Sequence, residues 1–168
     1  MSTREHKHDA PKRLQLAILS VSSTRTLSND ESGIWIKKQA EKEGHEIVFH
    51  AVAADDKDEI AEKISSVVNE LNPHALLITG GTGISKKDVT IEAVTPLFDK
   101  ELTAFAPVFA LLSFEKIDSA AIMSRTTAGI IRNTAVFCMP GSLAACKLAC
   151  KELIFLEIGH IAKHIYFG

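Results

Sequence analysis

Cysteine is scarce in this sequence and cannot be fully paired. Cys138, Cys146 and Cys150 make an odd count, which argues for free thiols in a reducing compartment rather than a disulfide framework. Long hydrophobic runs are missing too. No apolar stretch approaches the roughly 18 residues that cross a bilayer. The longest candidate, Phe105 to Phe114, is short and contains Pro107. Neither charge is in excess, because 19 Lys and Arg face 21 Asp and Glu for a net charge of −2. A polycation built to neutralise nucleic-acid phosphates is excluded. No secretory leader is expected, since Met1 to Arg13 is polar and the apolar run behind it lasts only from Leu14 to Val21. These absences lead us to expect a cytoplasmic protein with no nucleic-acid and no membrane partner.

What remains is an ordinary globular mix, 46% hydrophobic and 24% charged over 168 residues. That length fits one domain, which hides roughly 70% of its unfolded surface and needs no disulfides to hold a core. We expect residues 1–12 to form a flexible polar tail and 13–168 the folded domain. Leu14 to Ser22 is apolar without helical spacing and reads as a buried strand. A capping cluster, Ser28 to Ser32, precedes a helix from Gly33 to Glu43 that stops at Gly44. His45 to Ala53 is strand-like, Asp58 to Leu71 helical, and Ala75 to Thr79 a third strand. Helices are expected over Thr90–Leu97, Val108–Lys116 and Ser119–Ser124, a strand over Thr134–Met139, then a helix over Leu143–Leu156 and a short last one from Glu157. Strands alternating with helices imply crossover units. The class is α/β, a single-domain three-layer α/β/α with a mainly parallel sheet.

Ligands of such sheets bind beyond the carboxyl ends of the strands. The residues there are Ser20, Ser22 and Ser23; Asp55 and Asp56; Thr79 leading into Gly80-Gly81-Thr82-Gly83, then Asp88 and Thr90; and Pro140-Gly141-Ser142. Their convergence on one edge marks a site. In the Gly80–Gly83 turn, glycines admit positive φ and bring bare N–H groups toward an anion. We expect this turn to serve ligand binding more than folding, with Gly81→Val placing a branched side chain where an anion must approach the backbone. Two phosphate motifs fail: a P-loop needs glycine at Ser85, and the dinucleotide fingerprint needs it at Lys86. A tight strand-to-helix turn is the alternative. Asp55 and Asp88 have the oxygen chemistry for Mg²⁺, or they serve as turn residues, with Asp88 capping the helix near Thr90. Ser142 suits either a helix cap or a phosphate, and Arg125 either an anion or an ion pair with a helix carboxylate.

Other residues read as structural. Cys146 and Cys150 lie one turn apart on an apolar face as small buried thiols, and Cys138 sits within a strand. His160 and His164 share the i, i+4 spacing without a nearby third ligand, and His6 and His8 fall in the tail. Val108 to Leu112 is apolar nearly all round a helix, which points to self-assembly or to complete burial.

In order along the chain, these segments resemble the molybdenum-cofactor biosynthesis family typified by MogA and MoaB and by gephyrin-like G domains. The most specific is Thr79-Gly80-Gly81-Thr82-Gly83 followed by Lys87-Asp88-Val89-Thr90-Ile91-Glu92-Ala93. Ser20-Val21-Ser22, Asp30-Glu31-Ser32-Gly33, Ser124-Arg125 with Ala128-Gly129, and Met139-Pro140-Gly141-Ser142 also match. Leu112-Ser113-Phe114-Glu115 and Pro140 to Cys146 look like the MoaB branch. The resemblance covers about residues 13–165 and implies molybdopterin as ligand, and in active relatives its adenylylation by Mg²⁺-ATP with release of pyrophosphate. It further implies that Asp55 and Asp88 organise the metal and reacting phosphates, and that Gly80–Gly83 cradles nucleotide or pterin. Ser124 with Pro140-Gly141-Ser142 would hold the pterin phosphate. A homotrimer or homohexamer is implied, with other molybdenum-cofactor enzymes as partners. The chain departs from the family at Ser23 (often Asp), Ala54 (Pro), Lys87 (Arg) and Ala104-Phe105-Ala106-Pro107 (Gly-Phe-Gly-Glu). A silent pterin-binding or assembly protein is therefore the alternative. A pyridine-nucleotide enzyme on the related CinA-type domain fits fewer segments.

Overall fold

The computed structural model describes residues 10–168. The expected tail falls mainly on residues 1–9, with His6 and His8, and so lies outside the described residues. The first strand, β1 (Gln15–Val21), is buried on both faces, as its unbroken apolar run requires. Helix α1 (Glu31–Lys42) follows, capped by the Asp30 carboxylate accepting from Gly33 N–H. Then come β2 (Glu46–Ala53) and α2 (Lys57–Ser66), which Asp56 caps through Glu59 N–H and which continues as a wider turn to Leu71. Next are β3 (Ala75–Thr79), the short α3 (Thr90–Val94), β4 (Lys100–Glu101) and α4 (Phe105–Ile117). The chain closes with β5 (Thr127–Ile131), β6 (Thr134–Met139), α5 (Leu143–Ala149) and α6 (Phe155–Phe167).

The six strands are ordered β2-β1-β3-β6-β5-β4. The first four run parallel, and β5 and β4 are added antiparallel. Alternate residues of each central strand feed two cores, which makes the molecule three-layered. Leu16 and Ile18 pack with Ile36 of α1, Phe109 of α4 and Cys146, Cys150 and Ile158 of the last helical run. Ala17 and Leu19 pack with Ile60 and Ile64 of α2 and Val94 of α3. All three cysteines are buried and free.

Three local expectations are corrected. α4 begins at Phe105 rather than Val108, because Pro107 occupies its first turn, where no N–H is needed. No break separates the last two helices, since a wider turn at Cys150–Ile154 joins α5 to α6. The antiparallel pair β4 and β5 was not expected at all. No described helix is long and apolar enough to cross a membrane.

Candidate functional site

β2 and β3 lie on opposite sides of β1, so the chain reverses its winding there. A cleft of about 380 Å³ opens at this point, beyond the carboxyl ends of β1, β3 and β6. Val21, Ser22, Thr24 and Arg25 line it from β1, Gly80 to Gly83 with Asp88 from β3, and Pro140 with Gly141 from β6. Ser124 closes it and also faces an adjoining groove of about 540 Å³, where Ser142 lies beside Lys116, Lys147 and Lys151.

The glycine loop is forced by close packing. Gly80 and Gly81 have φ of 94° and 65°, in the left-handed region. A Cβ on Gly80 would stand 2.3 Å from Val21 O, and one on Gly81 2.3 Å from Thr90 Oγ1. A branched side chain in Gly81→Val therefore strains the loop itself as well as standing in an anion's approach. Arg125 clamps the loop from outside. Its Nε donates to Gly83 O at 2.9 Å, one terminal nitrogen donates to Asp88 O at 3.1 Å, and the fork grips both carboxylate oxygens of Glu92. Arg125 therefore takes the ion-pair role, with the carbonyls added.

Asp88 does not cap α3, whose N-cap is Val89. Its Oδ2 accepts from Ser85 N–H at 2.9 Å and Ser85 Oγ–H at 2.7 Å, closing its own turn. The Ser85 hydroxyl holds the carboxyl below its ordinary range, helped by backbone N–H groups and Arg125. An ionised carboxylate thus stands on the cleft wall. Asp55 is placed differently, off the lining, accepting from Ser23 N–H at 2.8 Å and Ser23 Oγ–H at 2.7 Å. Ser23, a departure from the family pattern, is therefore its direct partner.

Ser20, Thr79 and Thr90 lie behind the cleft and not on it. Ser20 Oγ–H donates to the buried Asp30, which also meets His50 Nε2 at 3.1 Å. Burial pushes the Asp30 carboxyl up, but hydrogen bonds from His50, Ser20 and Gly33 outweigh it and leave the net shift downward. Thr79 Oγ–H donates to Pro140 O at 3.1 Å and Thr90 Oγ–H to Gly80 O at 2.8 Å. Ser142 caps α5 by accepting from Ala145 N–H. Sequence reasoning missed Arg25, which is exposed on the wall and donates to Gly141 O at 3.3 Å. Its only signal is a basic residue just past a strand end. Among the described residues, no three His, Cys, Asp or Glu gather as a metal site.

Comparison with known proteins agrees with this geometry. A family model described as "probable molybdopterin binding domain" matches residues 17–160. The molybdenum cofactor biosynthesis protein B of Bacillus subtilis is 45% identical over 166 residues, 98% of each chain. The molybdopterin adenylyltransferase of Pyrococcus furiosus is 38% identical over 170 residues, again 98% of each. A crystal structure of a molybdenum cofactor biosynthesis protein B superposes with a TM-score of 0.91 at 37% identity, covering 95% of this chain and 100% of that one. With the glycine loop, Asp88 and the Pro140-Gly141 turn assembled at one cleft, the chain belongs to the molybdenum-cofactor biosynthesis family of MoaB and MogA.

Proposed function

We propose that the cleft binds molybdopterin and Mg²⁺-ATP and transfers the adenylyl group to the pterin's terminal phosphate. The carrying observation is the composition of its walls. The cleft-lining backbone of Gly80–Gly83 and the exposed Arg25 guanidinium suit phosphates, and one ionised carboxylate, Asp88, stands among them. A phosphate oxygen of the pterin attacks the α-phosphorus of ATP. The bond to the bridging oxygen breaks, and pyrophosphate leaves. Such chemistry asks the protein mainly for alignment and charge neutralisation.

The residues fit a hard cation held largely by substrate. Mg²⁺ takes one or two carboxylates and fills its remaining positions with phosphate oxygens and water. Asp88 supplies a carboxylate on the wall, and Asp55 a second beside Ser22 and Thr24, through Ser23. When bound, Mg²⁺ neutralises charge on the reacting phosphates. Arg125 fixes the loop that carries Asp88, and Arg25 meets the phosphates from the opposite wall. Ser124 and Ser142 lead toward the lysine-rimmed groove, where the rest of the pterin has room.

One observation favours a silent pterin binder instead. Asp55 is engaged by both donors of Ser23 and stands off the cleft lining. Incubating the protein with molybdopterin and Mg²⁺-ATP separates the readings. Adenylylated pterin and pyrophosphate support transfer, pterin binding without turnover supports the silent binder, and no pterin binding overturns both.

A further inference from the structure

A wall that receives phosphate must keep carbonyl oxygens off it, and the turn after β6 withdraws four in succession. Met139 O accepts from Gly80 N–H at 3.1 Å, and Ser142 O from Cys146 N–H at 3.0 Å. Pro140 O takes the Thr79 hydroxyl at 3.1 Å and the Cys146 thiol at 3.3 Å. Gly141 O takes the Ser32 hydroxyl at 2.9 Å, with Arg25 at 3.3 Å from the cleft wall. Thr79, Cys146 and Ser32 are all buried, so these oxygens are drawn back into the protein. The peptides are trans, and in a trans peptide the N–H points opposite to the carbonyl. With Gly141 O turned toward Ser32, the N–H of Ser142 is turned away from it. The turn also rests on the glycine loop, since a Cβ on Gly141 would stand 3.1 Å from Gly80 Cα.

Ser32 is itself set in place by a buried carboxylate. It lies in the first turn of α1, directly after the Asp30 cap and Glu31. One oxygen of Asp30 accepts from Gly33 N–H at 3.1 Å, and the other from Ser20 of β1 and His50 Nε2 of β2. A carboxylate only accepts, so His50 carries a proton on Nε2. A Cβ on Gly33 would stand 2.1 Å from Asp30 Oδ2 and 2.5 Å from His50 Nε2, so the helix starts this close only because glycine is there. β1, β2 and α1 thus meet at one carboxylate. We propose that Ser32, fixed by Asp30, is a positioning residue of the cleft. Its hydroxyl holds the Gly141 carbonyl back, so that the turn offers N–H groups and the Arg25 guanidinium, not oxygen, to the phosphate of the ligand. The inference rests on the reading of the cleft as a molybdopterin site. Without the hydroxyl, the Gly141–Ser142 peptide can rotate and bring its oxygen against that phosphate.

The test is Ser32→Ala in the full chain, read in two ways. Hydrogen exchange without ligand reports the lock itself. The amides of Gly80 and Cys146, which bond to carbonyls of the turn, should exchange about tenfold faster, with those of β1 unchanged. Molybdopterin affinity, measured by calorimetry, should fall about tenfold, the scale of one buried hydrogen bond. Any turnover should show this in KM, with kcat within about twofold. The thermal midpoint should fall little, because Arg25 still donates to Gly141 O. Asp30→Asn sets an N–H2 group against donors, and should give the same two changes with a larger loss of midpoint. If it fails to fold, Ser32→Ala decides alone. Unchanged exchange overturns the lock, and faster exchange with unchanged pterin affinity overturns its role at the site. A wild type that binds no pterin overturns the reading of the cleft, while the exchange arm, which needs no ligand, still decides for or against the lock.

Discussion

At Asp88 one carboxylate oxygen holds both donors of Ser85, and the cleft receives the charge. Asn presents an oxygen of the same shape, so Asp88→Asn keeps the turn and removes only the charge. If the charge organises the transferring phosphates, the barrier should rise by about 3–4 kcal/mol, about 10²–10³ in adenylylation rate. The thermal midpoint should barely move. A variant that keeps its rate would confine Asp88 to closing the turn. Arg125 makes the converse case, a side chain that acts through the loop it grips. Arg125→Met strips donors from the carbonyls of Gly83 and Asp88 and from Glu92, and should cost about 1.5–3 kcal/mol of stability with weaker nucleotide binding. Arg125→Lys should restore little, because a point charge cannot span that fork. Full rescue by Lys in thermal melts would show that charge alone matters.

Two histidines set the acid limit of an element. Leu14 N–H donates to His45 Nδ1 and Gln15 N–H to His74 Nδ1, so the start of β1 depends on imidazoles with a bare Nδ1. Burial holds both below the usual histidine range. The folded state therefore prefers them neutral, and the unfolded chain takes up protons first as pH falls. Their stabilisation is complete above about pH 6.5 and is lost below it, down through the folded values. Thermal midpoints should drop between about pH 7 and 5, and His45→Gln/His74→Gln should flatten that slope. An unchanged slope would place the acid sensitivity elsewhere. The element scale also shows what the sequence could reveal. β1, β3 and β6 were legible because burial on both faces leaves an unbroken apolar run. β5 was not, since Gly129 interrupts it, and β4 is two exposed residues whose strand character comes only from pairing with β5. The glycine loop was legible by composition. Arg25 and the Ser23–Asp55 contact were not, because they join residues distant in sequence with no period to connect them.

At the scale of the whole molecule, α4 presents an apolar surface among the described residues. α4 turns Phe105, Phe109 and Ser113 inward, so it is not wholly buried. Outward, at three-residue spacing, Val108, Leu111, Phe114 and Ile117 are 41%, 62%, 54% and 51% exposed, and the next turn adds Ile122 at 86%. Contiguous apolar side chains on this scale mark an interaction surface. A second copy of the chain is the occupant the family resemblance implies, as trimer or hexamer. The mass in solution should then be a multiple of 18.3 kDa, by three or six, in light scattering at micromolar concentration. Leu111→Glu with Phe114→Glu places charge where contact would desolvate it, and should shift the mass toward one chain. Both positions face solvent in the single chain, so each change should alter its stability by only about 0.5 kcal/mol. Loss of assembly with an intact fold would therefore locate the interface on α4. A wild type that is already monomeric would refute self-assembly, and an oligomer indifferent to both charges would move the interface to another face.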